Sequence, residues 1–298
     1  MSVEKINNIK QGLNEYFIDR RDTIDMIILA VYSRKNAFLI GEPGLAKTDI
    51  LKAFSLSVKD FIFFEYQMSF TTKLEDILSI NTNNGIGIDN CHIALIDEFF
   101  KGNPSMLNSL LGALNEKIIY VPEPKIIPLL TVFATSNEKP DATEGTSLLA
   151  LYDRFLLRQE VMPLRNKEDF KKLMKINKQY EPSEHLTMDD LTEDYNKINN
   201  IDLSDYIIDL LFKIKSELLV RQVRVSDRRF RDLIAILKSS AFLRNDSEVK
   251  IDDIYNIKSS LWTYSSDIKT VDLTVNKILK EAESSGQKII NLGEVQYA

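Results

Sequence analysis

The order of patterns along the chain predicts an α/β fold, a parallel sheet with helices on both faces, followed by a smaller all-helical domain. Three observations support this. Short apolar runs alternate with helical periodicities up to about residue 162, as in strands joined by crossover helices. The runs "CHIALID" and "LLTVFATSN" are apolar almost throughout, as strands buried on both faces are. Beyond residue 204 only amphipathic helical patterns occur.

Taken in order, "MSVEKINNIKQGLNEYF" is polar with a helical pattern, and Ile24, Ile27, Ile28 and Val31 recur at helical spacing behind a start signal at Asp22 and Asp25. "NAFLIG" reads as a strand running into a Gly-rich loop, with "TDILKAFSLS" as the helix beyond it. "FIFFEY" (Phe61 to Tyr66) is a second strand, "TTKLEDILSI" a helix and "CHIALID" a third strand. Asn103-Pro104 starts a helix with Pro in its first turn, and Met106, Leu107, Leu110, Leu111 and Leu114 mark one face of it. "KIIYVPEP" gives a short strand and turn, "LLTVFATSN" another buried strand, and "TSLLALYDRFLLRQEV" a helix leading into a strand. The expected domain limits are 1–162 for the α/β domain, 163–204 for a polar linker and 205–298 for the helical domain. The tail "SGQKIINLGEVQYA" reads as a frayed end or as the start of a further element.

Composition narrows the function classes. Hydrophobic residues at 44% and charged residues at 28% are ordinary for a soluble globular protein. A net charge of −6 gives no support for a general nucleic-acid or anionic-membrane binder. The single cysteine, Cys91, excludes an intramolecular disulfide and fits a reducing cytoplasm. With only His92 and His185 beside it, a zinc site is not expected. The run "MIILAVY" is far too short to span a bilayer, so no membrane insertion is expected.

The residues with chemical potential begin in the Gly-rich loop. Gly41, Glu42, Pro43, Gly44, Leu45, Ala46, Lys47 and Thr48, running into Asp49, fit G-x-x-x-x-G-K-[ST] with Ala46 in place of the second Gly. Loop amides and the following helix N-terminus cradle phosphate oxygens. Lys47 supplies a point charge for the β/γ-phosphates, and the Thr48 hydroxyl can ligate Mg²⁺. Asp97 and Glu98 end a buried strand, where adjacent carboxylates are costly unless a cation or hydrogen bonds compensate. Mg²⁺–ATP supplies that compensation: Asp97 would hold the metal through its water shell, and Glu98 would polarise an attacking water. That second role points to hydrolysis rather than phosphoryl transfer to a metabolite. Asn137 ends the next strand, in the crevice where open α/β sheets bind ligands, and could orient the lytic water.

Arg154 is either a local partner of Asp153 or an arginine finger for a neighbouring subunit's γ-phosphate, with Arg158 as a second candidate. Ser226 is a good N-cap, which places Arg228 and Arg229 in a first helical turn, where positive charge opposes the helix dipole and invites an anion. The plainer reading is a solvated basic turn. The five arginines from Arg221 to Arg231 could also form a polynucleotide strip, but only Phe230 interleaves them.

Together these segments resemble the AAA+ ATPases of the MoxR family, and most closely its RavA branch. The motifs are "GEPGLAKT" (Walker A), "LIDEFFKGNPSMLNSLLGALNE" (Walker B and its helix), "FATSNE" (sensor 1), "LYDRFLLR" (arginine finger) and "VSDRRF" (sensor 2), within residues 15–275. The resemblance implies an α/β nucleotide domain with a helical lid, hexameric rings with ATP at subunit junctions, and chaperone-like remodelling of client proteins beside a von Willebrand factor A (vWA) domain partner. It implies that Lys47, Thr48, Asp97, Glu98 and Asn137 act in their own subunit, that Arg154 acts on the neighbour's nucleotide, and that Arg228 reaches back from the lid. Arg228 is preferred to Arg229 because the family's sensor follows the Ser by two residues. Two departures stand out. "DILSINTNNGIGIDNC" is shorter than the family's helix-2 insert, though an Asn83-Asn84-Gly85 turn could keep a small hairpin. The chain also stops soon after the lid, without the C-terminal client-binding module of longer RavA-like proteins. A nucleic-acid translocase is the alternative, although "INTNNGIGID" has no Lys or Arg for a basic pore hairpin. A third reading is a regulatory module that binds ATP as an assembly signal with negligible turnover.

Overall fold

The computed structural model describes residues 2–120, 123–137, 151–177 and 179–284. Five parallel strands form one sheet in the order β2-β3-β6-β1-β7. β6 (Thr131–Ser136) is central, and β1 (Asn36–Ile40) lies between it and the edge strand β7 (Phe155–Glu160). β3 (Ile93–Asp97) and β2 (Phe63–Gln67) lie beyond β6. β1 and β6 are buried along their whole length, which accounts for their unbroken apolar text. The registers Ile40↔Ser136 and Ile96↔Ala134 bring the carboxyl ends of β1, β6 and β3 side by side. A separate antiparallel pair joins β4 (Ile118–Tyr120) to β5 (Pro124–Ile126), whose residues are exposed.

Helices cover the sheet. α1 (Ser2–Tyr16) buries Ile6, Ile9 and Leu13, while α2 (Arg21–Ser33) is buried continuously from Met26 to Ser33. α2 ends where Arg34 turns into the left-handed region (φ 52°) and its N–H caps Val31 O. α3 (Lys47–Leu56) follows the Gly-rich loop. Asn103 caps α4 (Pro104–Ser109) by accepting from the Met106 N–H at 2.9 Å, as its sequence predicts. The helix expected to continue through Leu114 instead breaks at Leu110, and α5 (Leu111–Asn115) resumes beyond it.

The helix expected over "TTKLEDILSI" is two 3₁₀ turns, Leu74–Ile77 and Ser79–Asn81. Side chains take the amides that a continuous helix would use. Asp76 accepts from Lys73 N at 2.8 Å, and Asp89 accepts from Ser79 N at 2.7 Å. Gly87 packs so close that a Cβ there would lie 2.1 Å from Ser79 N. No strand forms between Asn81 and Cys91, so the possible hairpin at Asn83-Asn84-Gly85 is a turn, with Gly85 at φ 68°.

Residues 163–204 carry two helices. α6 (Lys167–Leu173) buries none of its residues. α7 (Met188–Asn199) starts from a Thr187/Asp190 capping box and buries Leu191, Asp194, Tyr195 and Ile198. It packs on α1 and α2: Tyr195 OH donates to Val31 O at 2.8 Å, and Ser2 Oγ donates to Asp194 Oδ1 at 2.5 Å.

The helical domain comprises α8 (Asp205–Val220), α9 (Asp227–Leu243), α10 (Ile251–Ile254) with its 3₁₀ extension, and α11 (Ile268–Ser284). Its apolar stripes meet at Ile214, Leu233, Leu237, Leu261, Val275 and Leu279, all removed from water. The core continues into the α/β domain, where Phe242 stacks on Tyr32 with ring centroids 5.9 Å apart. The tail from residue 285 lies outside the described residues. Among those described, no helix is long and apolar enough to cross a membrane.

Candidate active site

The loop between β1 and α3 is shaped by backbone demands. Gly41 approaches the strand β7 side so closely that a Cβ would sit 2.6 Å from Val161 O, while Gly44 adopts φ 80°. Ala46, at the position where the motif usually has Gly, also takes the left-handed conformation (φ 62°) as the N-cap residue of α3. Arg20, buried beside the loop, donates from Nε to Leu45 O at 3.1 Å. Lys47 is buried, and its ammonium donates to Gly41 O and to Glu42 O. Burial lowers its pKa, while the charges of Asp97 and Glu98 oppose that shift.

Asp97 and Glu98 stand at the end of β3. Thr135 Oγ1, on the neighbouring strand, donates to Asp97 Oδ1. Glu98 takes the left-handed conformation (φ 53°), sparsely populated by non-glycine residues and frequent at functional sites. Asn137 Nδ2 donates to Glu98 Oε1 at 2.7 Å, and Lys101 Nζ lies 3.3 Å from the same oxygen. Pro43 to Asp49, Asp97, Glu98 and Asn137 line one cleft of about 180 Å³. Of the residues that the sequence assigns to nucleotide, metal and water, the cleft gathers these, while Gly41 and Glu42 offer their carbonyls to Lys47. Thr48 and Asp97 offer one hydroxyl and one carboxylate to the cleft, a hard oxygen donor set suited to Mg²⁺, which keeps several of its own waters.

The arginines lie elsewhere. Arg154, just before β7, lines a second cleft of about 450 Å³ with Lys35, Asn36, Asn115, Lys117 and Arg228. Asn36 begins β1 and the Gly-rich loop follows its end, so the two clefts are separated by the length of that strand, roughly 16 Å. Arg154 Nε is buried without a hydrogen-bond partner among the described residues. Burial lowers the Arg154 pKa, the nearby Arg228 charge lowers it further, and Asp232 opposes them. Arg228 points from the first turn of α9 to Asn115 Oδ1 at 3.4 Å, with Asp232 at 3.9 Å. Arg228 thus lines the second cleft, apart from the cleft that Lys47 and the Gly-rich loop line. The lid packs against α2 and β7, which holds Arg228 beside Arg154 rather than over Lys47.

Arg158, the second finger candidate, is also excluded as a free cation. It is buried in β7, donating to Trp262 O, to Phe155 O at 3.0 Å and to Tyr152 O at 3.2 Å. Burial brings its pKa down to about 10. Arg229 is buried too, paired with Asp153 and donating to Thr263 Oγ1 at 3.2 Å.

Some site residues have weak or no sequence signals. Thr135 shows only as a hydroxyl in an apolar strand, and Lys101 only as a cation three residues after Glu98. Arg20 and Lys117 carry no local signal. Burial brings the Lys117 pKa down to about 8, with the Lys35 charge adding to the shift.

A parallel α/β sheet with a Gly-rich loop at its carboxyl edge and a helical lid behind it defines an AAA+ P-loop NTPase architecture. Within that class, the chain belongs to the MoxR family. Residues 4–201 match the family model for the MoxR domain in the MoxR-vWA-beta-propeller ternary systems, and residues 206–275 match an AAA lid domain. Two uncharacterized proteins of Methanocaldococcus jannaschii are similar over most of their length. MJ0079 is 31% identical across 99% of this chain and 81% of its own, and MJ0812 is 30% identical across 92% and 75%. The crystal structure of a candidate ATPase from Cytophaga hutchinsonii shares the fold, with a TM-score of 0.75 at 21% identity over 94% of each chain.

Proposed function

We propose that the protein is an ATP-hydrolysing MoxR machine whose active sites are completed between subunits of a ring. The observation that carries this is the separation of the two clefts. Lys47, Asp97, Glu98 and Asn137 share one, while Arg154 and Arg228 share another at the opposite end of β1. In a head-to-tail ring the arginine cleft of one subunit faces the nucleotide cleft of the next. The loop amides and Lys47 would bind the phosphates, and Thr48 with Asp97 would hold Mg²⁺, which would neutralise charge on the phosphates. Glu98 takes a proton from the attacking water, and Asn137 orients that water. Arg154 and Arg228 of the neighbour stabilise charge developing on the γ-phosphate.

The same proposal takes domain limits of 1–162, 163–204 and 205–298, a hexameric ring, a cytoplasmic setting and a RavA-like mode of action. The matched family description names vWA and beta-propeller components, which supports a vWA-domain partner and remodelling of a protein complex. The direct test is Mg²⁺-dependent release of phosphate from ATP by the purified protein, with Glu98→Gln as the blank. Turnover lost in Glu98→Gln supports the reading. Equal turnover in both proteins overturns it, and strong stimulation by DNA or RNA would favour a translocase instead.

A further inference from the structure

Two arginines adjacent in sequence have opposite environments. Arg228 is 47% exposed, whereas Arg229 is 5% exposed; both border the second cleft, but Arg229 is held by Asp153 and Thr263. On the other side of the contact, Asp153 pairs with Arg229, while its neighbour Arg154 lines the same cleft. The ion pair thus ties the first turn of the lid helix α9 to the segment just before β7. Ser226 Oγ fixes the other end of that turn by accepting from Arg229 N at 3.2 Å. Asn36 Nδ2 donates to Arg154 O at 3.3 Å and holds the backbone of the same segment to the start of β1.

We infer that Arg229 is a positioning residue. Through its ion pair with Asp153 it sets the spacing of Arg154 and Arg228, so that both arginines meet a neighbouring subunit's nucleotide as one rigid unit. This rests on the reading that the two arginines act in trans. One rigid peptide unit, about 3.8 Å between Cα positions, separates each arginine of the cleft from its anchor, so a shift of the anchor pair passes directly to the arginines. The electrostatic surroundings agree. Arg158 Nη2 approaches Asp153 at 3.7 Å, giving the carboxylate a second cation, and buried Arg158 is itself fixed to Trp262 O of the lid. Among the described residues, the only carboxylate within ion-pair distance of Arg154 or Arg228 is Asp232, 3.9 Å from Arg228, which leaves both arginines to meet an external anion.

The test uses mixed full-length subunits. Glu98→Gln subunits donate arginines but do not hydrolyse, and Arg154→Ala subunits hydrolyse but do not donate. Mixing them is expected to restore ATPase activity. A donor carrying Glu98→Gln with Arg229→Lys is expected to restore about 10-fold to 100-fold less, the scale of a roughly 1 Å misplacement of a catalytic group. The Arg229→Lys subunit with its own Glu98 intact, mixed with excess Glu98→Gln donors, should hydrolyse at close to the wild-type rate per active site. Equal restoration by both donors overturns the inference, as does an Arg229→Lys subunit equally impaired as donor and acceptor, which marks a merely structural role. Failure of the parent mixture overturns the trans reading itself and is thereby told apart. If Arg229→Lys does not fold, Asp153→Asn takes its place with the same expected donor-only defect.

Discussion

Asn137, at the end of β6, donates to Glu98 at the end of β3 across 2.7 Å, so two adjacent strands present a base and an amide to the same point. Replacing Asn137 with Ala removes a group that orients water but leaves the phosphate loop intact. Steady-state ATPase kinetics should show kcat lowered by about 10-fold to 100-fold with little change in KM, the pattern of an interaction made chiefly in the transition state. Glu98→Gln should lower kcat by on the order of 10²–10⁴, the usual contribution of a general base. A large rise in KM for Asn137→Ala would place that residue in nucleotide binding instead.

Ala46 occupies a left-handed position that favours glycine. Ala46→Gly should relieve strain of about 1 kcal/mol. The expected thermal shift is an increase in Tm of about 1–3 °C, measured by calorimetry in the absence of nucleotide. A decrease would mean that the methyl group contributes packing that outweighs the backbone strain.

Lys117 hydrogen bonds to Asn36 Oδ1 at 3.2 Å at the base of the arginine cleft, and burial lowers its pKa to about 8. Its ordinary value is 10.5, so between these limits the unfolded chain binds the extra proton. Stability contributed by this site therefore rises as pH increases from about 8 towards 10.5 and is flat below that window. Lys117→Met removes the dependence. The difference in Tm between Lys117→Met and the wild type should move in favour of the wild type as pH rises from about 7 to about 9.5. A pH-independent difference would show that the ammonium is fully solvated.

Arg158 is fully enclosed and donates to carbonyls on both sides of the junction between β7 and the lid. Arg158→Met leaves those carbonyls without a donor, which should cost about 2–5 kcal/mol of stability. Denaturant unfolding would show this as a lowered midpoint. An unchanged midpoint would mean that water replaces the guanidinium.

Much of this architecture is legible in the sequence because the evidence is local. The strands of the sheet announce themselves as apolar runs, and the Gly-rich loop, the Asp97-Glu98 pair and Asn137 each sit at the end of one. Asn103 shows how capping chemistry fixes a helix start, whereas the Thr187 cap and its helix lie inside the segment read as a polar linker. What the sequence does not show is decided over long range. Whether Arg228 or Arg229 faces solvent depends on Asp153, 76 residues away from Arg229. Arg158 reads as a candidate finger until β7 is seen to carry it beneath Trp262. The expected helix at "TTKLEDILSI" yields to Asp89 and Gly87, which approach from the far side of a turn.

The central claim is that one subunit's arginine cleft completes its neighbour's nucleotide cleft. The most direct test is the ATPase rate per subunit as a function of protein concentration, for the wild type and Arg154→Ala, with Glu98→Gln as the blank. The account predicts a wild-type rate that climbs steeply and then reaches a plateau, and no such climb for Arg154→Ala. A rate independent of concentration that survives Arg154→Ala would contradict it.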